Sequence, residues 1–245
     1  MKRSKKLTVE EFILAVKNAG ITLTKHQIQQ FEDYFDMLIA TNEHVNLTAI
    51  TEKNDVYLKH FYDSLTVSFY EQDLQTAEKT LIDIGTGAGF PSLPLKIVFP
   101  QLKITMVDSL QKRINFLQEV VTTLDLSGVE IIHGRAEDIG QNLRYREAFD
   151  YATARAVART SVLAEYTLPF VKKGGKFIVM KGAAAQQELA DGKQALATLG
   201  GVLHDEFEFS LPNGDVRYIQ IVNKNKKTPK QYPRQAGTPS KKPIG

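Results

Sequence analysis

No cysteine occurs in the 245 residues. Disulfides, thiolate metal sites, iron–sulfur clusters and a cysteine nucleophile are thereby excluded. None of the five histidines, His26, His44, His60, His133 and His204, stands at metal-ligand spacing, so no metal is expected. No apolar run approaches the roughly 18 residues of a membrane span. Glu10 and Glu11 break the apolar stretch a secretory signal would need after the basic start. The expectation is a soluble, cytoplasmic chain with no membrane partner, acting as a monomer. With 42% hydrophobic residues it can bury a sizeable core without covalent staples.

Acids are missing from both ends. Residues 224–245 carry Lys224, Lys226, Lys227, Lys230, Arg234, Lys241 and Lys242, and residues 1–6 carry Lys2, Arg3, Lys5 and Lys6. Removing these eleven from the 31 basic side chains leaves 20 against 28 acids, so the body carries −8 beneath an overall +3. An arm of this kind suits a polyanion, where release of counterions from phosphates supplies salt-dependent affinity. Tyr232 adds a ring able to stack on a base. A merely solubilising tail is the competing reading for residues 224–245, and the favoured one for residues 1–6.

Glycine is absent between Gly20 and Gly85, which suits a helical extension over residues 1–78. Thr8 with Glu11 and Thr24 with Gln27 have capping-box spacing, and apolar residues then recur at helical intervals. A third helix is expected from Asp55 to Tyr70. Phe31, Tyr34, Phe35, Phe61, Tyr62 and Phe69 are read as its core. From residue 79 to 223 short β-rich runs alternate with helical ones, the mark of βαβ units. Strands are expected near 80–84, 103–108, 129–133, 149–154 and 175–181, with Gly174 and Gly175 turning into the last. A hairpin from runs at 202–209 and 216–222 would add an antiparallel edge. The expected fold is α/β and Rossmann-like, a mostly parallel sheet with an irregular, proline-rich arm at 224–245.

The chemistry concentrates where the first strand ends. Asp83 is followed by Gly85, Gly87 and Gly89, and then by Phe90 and Pro91. A dinucleotide fingerprint would place its third glycine at position 90, which Phe90 occupies. The pattern D-x-G-x-G-x-G resembles motif I of S-adenosylmethionine (SAM) dependent methyltransferases. Asp108 ends the second strand 19 residues after Gly89, where an acid meets a ribose edge; a helix N-cap is the competing reading. The third strand runs into His133, Arg135, Ala136 and Glu137, and Ala136 and Glu137 should flank an adenine. His133 is read as structural. The fourth and fifth strands deliver Arg155 and Lys181 to the same sheet edge. The D/N-P-P-Y/F loop typical of methylation at exocyclic amines is absent there, and the missing cysteine removes the covalent route to C5 of a pyrimidine.

These residues together resemble one family, the ribosomal RNA small-subunit methyltransferase G proteins, formerly glucose-inhibited division protein B. The matching pieces are Asn46-Leu47-Thr48, His60 with Asp63-Ser64-Leu65, the Asp83–Pro91 loop, Asp108-Ser109 with Lys112-Arg113, Arg135-Ala136-Glu137, Ala154-Arg155-Ala156 and Lys181-Gly182. The tail from Thr228 through Tyr232 and Arg234 looks like that of Gram-positive members. The resemblance implies SAM-dependent N7-methylation of one guanine in the decoding-centre loop of 16S rRNA, with the small ribosomal subunit as partner. It carries the family's cofactor contacts onto Gly85, Phe90, Ala136, Glu137 and Arg155. Arg155 and Lys181 are the candidates for holding RNA phosphate or guanine O6, a role that competes with cofactor binding at Arg155. His60 and Asp63 could shape the entrance or serve packing. A methyltransferase for small molecules and a non-catalytic RNA-binding assembly factor are the alternatives.

Overall fold

The structure, a computed structural model, describes residues 6–155 and 158–245. The basic residues Lys2, Arg3 and Lys5, and Ala156 of the resemblance, lie outside the described residues.

Two helices open the chain, α1 (Val9–Asn18) and α2 (Lys25–Asn42), each begun by the expected reciprocal cap. The Thr8 and Thr24 hydroxyls accept from the amides of Glu11 and Gln27, whose side chains accept in return from the threonine amides. Such caps contribute about 1 kcal/mol each by satisfying otherwise orphaned amides. The third helix is longer and less regular than its periodicity predicts. It runs as α3 (Lys53–Val56), a π-helical stretch (Tyr57–Tyr62) and α4 (Asp63–Tyr70), with no break between them. A π turn shifts the faces of a helix relative to one another. Here Tyr57, Leu58 and Phe61 are fully buried, while His60 and Asp63 line cavities at the sheet edge.

A short α5 (Asp73–Thr76) leads into the sheet, whose order is β3 (Val129–His133), β2 (Lys103–Asp108), β1 (Thr80–Ile84), β4 (Phe149–Arg155), β5 (Val171–Lys181), β7 (Val216–Lys224) and β6 (Gly201–Ser210). The first five are parallel, and β7 runs antiparallel to both its neighbours. The fold is therefore the expected α/β one. Leu81, Ile82, Asp83 and Ile84 are all buried, as fits a central parallel strand covered on both faces. Helices α6 (Ser92–Val98), α7 (Gln111–Thr123), α8 (Ala136–Ile139), α9 (Thr160–Thr167) and α10 (Ala185–Thr198) connect the strands. The chain winds from β1 toward β3, then crosses back to β4 on the other side of β1. That reversal opens a crevice at the carboxyl ends of β1 and β4, where α/β sheets receive ligands.

The helical extension does not pack as a separate core. Phe31, Tyr34 and Phe61 share one hydrophobic cluster with Leu95 of α6 and with Ile104 and Met106 of β2. The Tyr34 ring lies 5.5 Å from that of Phe90, and its hydroxyl donates to the carbonyl of Ala88. Tyr34 thus fastens α2 directly onto the glycine loop.

Two expectations need correcting. Strand β5 begins at Val171, so Gly174 and Gly175 lie within it rather than before it. Pairing jumps from Phe149–Val171 to Tyr151–Lys176, and residues 172–175 bulge out, with Gly174 at φ +86°. The second correction concerns residues 224–245. Lys224 ends β7 with its side chain fully buried; its ammonium donates to the carbonyls of Leu168 (2.7 Å) and Leu199 (3.0 Å) and to the Thr228 hydroxyl. The segment beyond it packs along the body, includes α11 (Thr238–Lys241), and spends Arg234 on the carboxylate of Glu165. Among the described residues no helix is long and apolar enough to cross a membrane.

Gly89 shows how tightly the two layers meet. Its φ is +98°, and a Cβ there would come within 2.4 Å of Leu93 Cδ1 and 2.9 Å of the Tyr34 hydroxyl. Gly89→Ala is expected to destabilise the protein by about 2 kcal/mol, from backbone strain and overpacking. A thermal melt checks this; an unchanged midpoint would mean that the loop and α2 give way easily.

Candidate active site

The loop between β1 and α6 takes its shape from backbone contacts with the end of β2. The amides of Gly85 and Thr86 both donate to the Val107 carbonyl, at 2.8 and 3.2 Å. The Gly87 amide donates to Asp108 Oδ2 at 2.9 Å. The other oxygen of Asp108 accepts from the Leu110 amide at 2.9 Å, and the Arg113 guanidinium lies 3.3 Å from Oδ2. Gly85 (φ +68°) and Gly87 (φ +62°) take left-handed conformations, which turn backbone rather than side chain toward the crevice.

Two members of the glycine pattern do not reach the crevice. Asp83 is fully buried beneath the loop, accepting from the hydroxyls of Thr86 (2.7 Å) and Ser92 (2.6 Å). Burial pushes its carboxyl up to about 7, although those two hydroxyls and Arg155 favour the charged form. Gly89 faces Leu93 and Tyr34. Both hold the shape of the loop rather than line the cavity.

Gly85, Gly87, Phe90, Asp108, Ala136, Glu137 and Arg155 do come together, around a cavity of about 510 Å³. A second cavity of about 530 Å³ adjoins it, and the two share His60 and Arg155. The shared wall is built in layers. The His60 ring stacks on Phe90 at 4.5 Å, and the Arg155 guanidinium lies 5.0 Å from the centre of the same ring. Arg155 donates to His60 Nδ1 (3.2 Å), Asp63 Oδ2 (3.4 Å) and the Lys59 carbonyl (3.3 Å). Because guanidinium can only donate, Nδ1 is the accepting nitrogen of His60. Nε2 therefore carries the hydrogen and donates to Thr48 Oγ1 at 2.8 Å. Burial, reinforced by Arg155, lowers His60 to about 3, so the ring stays neutral. Thr48 is itself fixed: Asn42 Oδ1 accepts from the amides of Leu47 and Thr48, both at 2.9 Å.

The second cavity is rich in cations. Lys59, Arg155, Arg159, Lys181 and Arg217 line it, against the acids Asp63 and Glu188. Asp63 is pinned between Arg155 and Arg217, whose Nε approaches Oδ1 at 3.1 Å; burial raises its carboxyl despite both charges. Lys181 lines this cavity and not the first, with Nζ at 2.6 Å from both the Ala158 carbonyl and a Glu188 oxygen. Sequence reasoning missed Arg217. Its signal lay in topology: an antiparallel β7 starts beside Lys181, with Tyr218 as that residue's partner, so its first residues reach the same edge. Tyr166 of α9, in the wall of the first cavity, left no signal in the sequence.

A family model described as rRNA small subunit methyltransferase G matches residues 27–210. The chain belongs to this family. The ribosomal RNA small subunit methyltransferase G of Leuconostoc mesenteroides is 77% identical over 97% of this chain and 100% of its own length. The protein of the same name from Lactococcus lactis subsp. lactis is 54% identical over the same shares. Among solved structures, an O-methyltransferase from Bacillus cereus in complex with SAH superposes with a TM-score of 0.57, covering 89% of this chain and 100% of that one at 16% identity. Fibrillarin from Aeropyrum pernix, solved with natively bound S-adenosyl-L-methionine, gives a TM-score of 0.50 at 16% identity, covering 65% and 72%. At such identities the likeness is one of fold.

The raised carboxyl of Asp83 has a consequence for stability. A buried acid titrating near 7, against about 4 when unfolded, makes the native state the better proton binder between those values. Its contribution therefore falls as pH rises from about 4 to 7 and is level above that. Asp83→Asn removes this dependence. The melting temperature of the variant relative to the parent should climb between pH 5 and 8; a constant difference would show that Asp83 is ionised throughout.

Proposed function

We propose that this chain transfers a methyl group from SAM to N7 of one guanine in the 16S rRNA of the small ribosomal subunit. One observation carries the reading: the glycine-loop cavity and a cation-rich cavity meet at a shared wall made of His60 and Arg155.

The first cavity fits the cofactor. Its volume lies within the range of small-molecule sites. A Cβ at Gly87 would meet nothing within 4 Å, so that face of the loop is open to a ligand. Gly85 and Gly87 would offer backbone to the methionine end, Asp108 an acceptor to the ribose, and Ala136 and Glu137 an edge to the adenine. When bound, SAM supplies an electrophilic methyl group on a sulfonium.

The residues of the shared wall match the demands of a purine nitrogen. Guanine N7 already has an in-plane lone pair, so no proton need be removed before attack. His60 accordingly offers no base: it is neutral, and Arg155 occupies its lone pair. What remains is alignment, which alone can lower a barrier substantially. Arg155 and Lys181 are assigned to hold an RNA phosphate or guanine O6, for which guanidinium and ammonium are suitable donors. Phe90, against which both His60 and Arg155 lie, helps keep that donor in place.

Labelled methyl transfer to small subunits lacking native N7-methylguanine, followed by mapping, should find label on a single guanine; no incorporation at any guanine would sink the proposal. Lys181→Ala separates the two cavities. It is expected to raise KM for the subunit about tenfold, the effect of losing one charge-assisted hydrogen bond, and to leave the affinity for S-adenosylhomocysteine within about twofold. Arg155→Ala decides the competing roles of that residue. Loss of RNA binding with cofactor affinity intact assigns it to RNA, and the converse assigns it to the cofactor.

A further inference from the structure

The chain beyond β7 reads as an RNA-seeking tail, yet its contacts lead to the wall of the cofactor cavity. It is first fastened to the body by Arg146, whose guanidinium donates to the carbonyls of Tyr232 (2.6 Å) and Thr228 (3.0 Å). Further on, Arg234 grips Glu165 through both its backbone and its side chain. Its amide and Nε donate to Oε1 at 2.7 and 2.9 Å, and Nη2 donates to Oε2 at 2.6 Å. Glu165 is completely buried, so this pair is shielded from solvent on one side. Nη2 of Arg234 also donates to the carbonyl of Lys242 at 2.8 Å. One guanidinium therefore closes residues 234–242 into a loop and fixes the base of that loop on α9.

Two contacts from this closed loop reach residues that line the glycine-loop cavity. The Gly237 amide donates to Glu137 Oε1 at 2.8 Å, and the Ser240 hydroxyl lies 2.7 Å from that of Tyr166. Gly237 has φ +83°, a conformation in which glycine carries no Cβ penalty. Gly140, at the end of α8, lies so close to the strap that a Cβ would approach Pro233 to 2.9 Å.

We infer that residues 225–242 form a strap that completes the cofactor site, and that Arg234 is a positioning residue for cofactor binding, acting through Gly237 on Glu137 and through Ser240 on Tyr166. The inference rests on the assignment of that cavity to SAM. Glu137 follows β3, where the adenine edge is placed, and a carboxylate anchored by a fixed amide offers its remaining acceptor in one direction only. Supporting contacts behind a binding residue commonly decide whether its geometry is productive. Lys226, Lys227, Lys230, Lys241 and Lys242 stay exposed on the strap, whereas Lys224 and Arg234 are spent on holding it.

The test is binding of S-adenosylhomocysteine by the full-length chain, measured calorimetrically at a temperature where circular dichroism shows each variant folded. Arg234→Ala should weaken binding about tenfold, the worth of a charge-assisted hydrogen bond to a positioned carboxylate. KM for the small subunit should stay within about twofold, the reverse of the Lys181→Ala pattern. Arg234→Lys, which keeps the charge but cannot form the fork, should fall between. Should Arg234→Ala fail to fold, Ser240→Ala cuts only the link to Tyr166 and should still weaken binding measurably. Unchanged cofactor affinity in the folded variants, or a rise confined to KM for the subunit, overturns the inference. Failure of the parent protein itself to bind S-adenosylhomocysteine would instead remove the cofactor reading of the cavity.

Discussion

The guanidinium of Arg155 is the contact on which the site depends. A cation held among protein groups is tolerated only if its donors are met, and three groups of the π-helical stretch and its end meet them: the Lys59 carbonyl, His60 Nδ1 and Asp63. Several consequences follow from this one arrangement. The helical layer is locked to the carboxyl end of β4. The tautomer of His60 is decided, and with it the hydrogen bond to Thr48. Asp63, drawn toward Arg155, is left with a second oxygen for Arg217, so the first residues of β7 are tied to the same point. Removing the arginine would leave a buried carboxylate facing one partner instead of two, which is a larger disturbance than the loss of one hydrogen bond.

The glycine loop divides its work between residues that look alike in sequence. Gly85 and Gly87 present backbone to the cavity, whereas Gly89 lets Leu93 and Tyr34 approach from behind. Asp83 and Asp108 are both buried acids at the ends of neighbouring strands. Asp83 spends itself on two hydroxyls inside the protein, and Asp108 holds the Gly87 amide at the cavity wall. The first and last members of the D-x-G-x-G-x-G pattern, Asp83 and Gly89, thus serve stability, and the two glycines between them line the cavity. A pattern of this kind records the shape that a loop must take, and contact with the ligand is only part of what fixes that shape.

Most strands and the ligand-bearing edge were legible because they depend on local signals. Apolar runs of strand length, glycines at the carboxyl end of β1 and an acid at the end of β2 all report on their own neighbourhood. Features set by distant partners were not legible. The π turn around His60 depends on burying Tyr57, Leu58 and Phe61 against helices far away in sequence. The charge of the closing segment misled for the same reason. Counting charges registers Arg234 as one cation of an arm and Glu165 as one acid of the body, and cannot register that they face each other. Lys224 is a sharper instance, since a full charge inside a strand is compatible with the fold because two carbonyls and a hydroxyl converge on it and the Glu147 carboxylate lies 3.9 Å away.

The parallel sheet by itself supplies little that is particular to this protein. Structures at 16% identity reproduce it with TM-scores of 0.50 and 0.57, and a fold shared so widely does not choose a substrate. The particular features come from what is added at its margins. The π-helical stretch brings His60 and Asp63 to Arg155, the antiparallel β7 brings Arg217, and the closing strap reaches Glu137 and Tyr166. These additions approach the two cavities from different sides, and each is anchored by a buried or half-buried ion pair rather than by apolar packing alone. Apolar contact would hold such segments against the sheet just as firmly, but it has no direction. A guanidinium facing a carboxylate fixes orientation as well as distance, so the groups around both cavities are held in one arrangement and not merely close to the sheet.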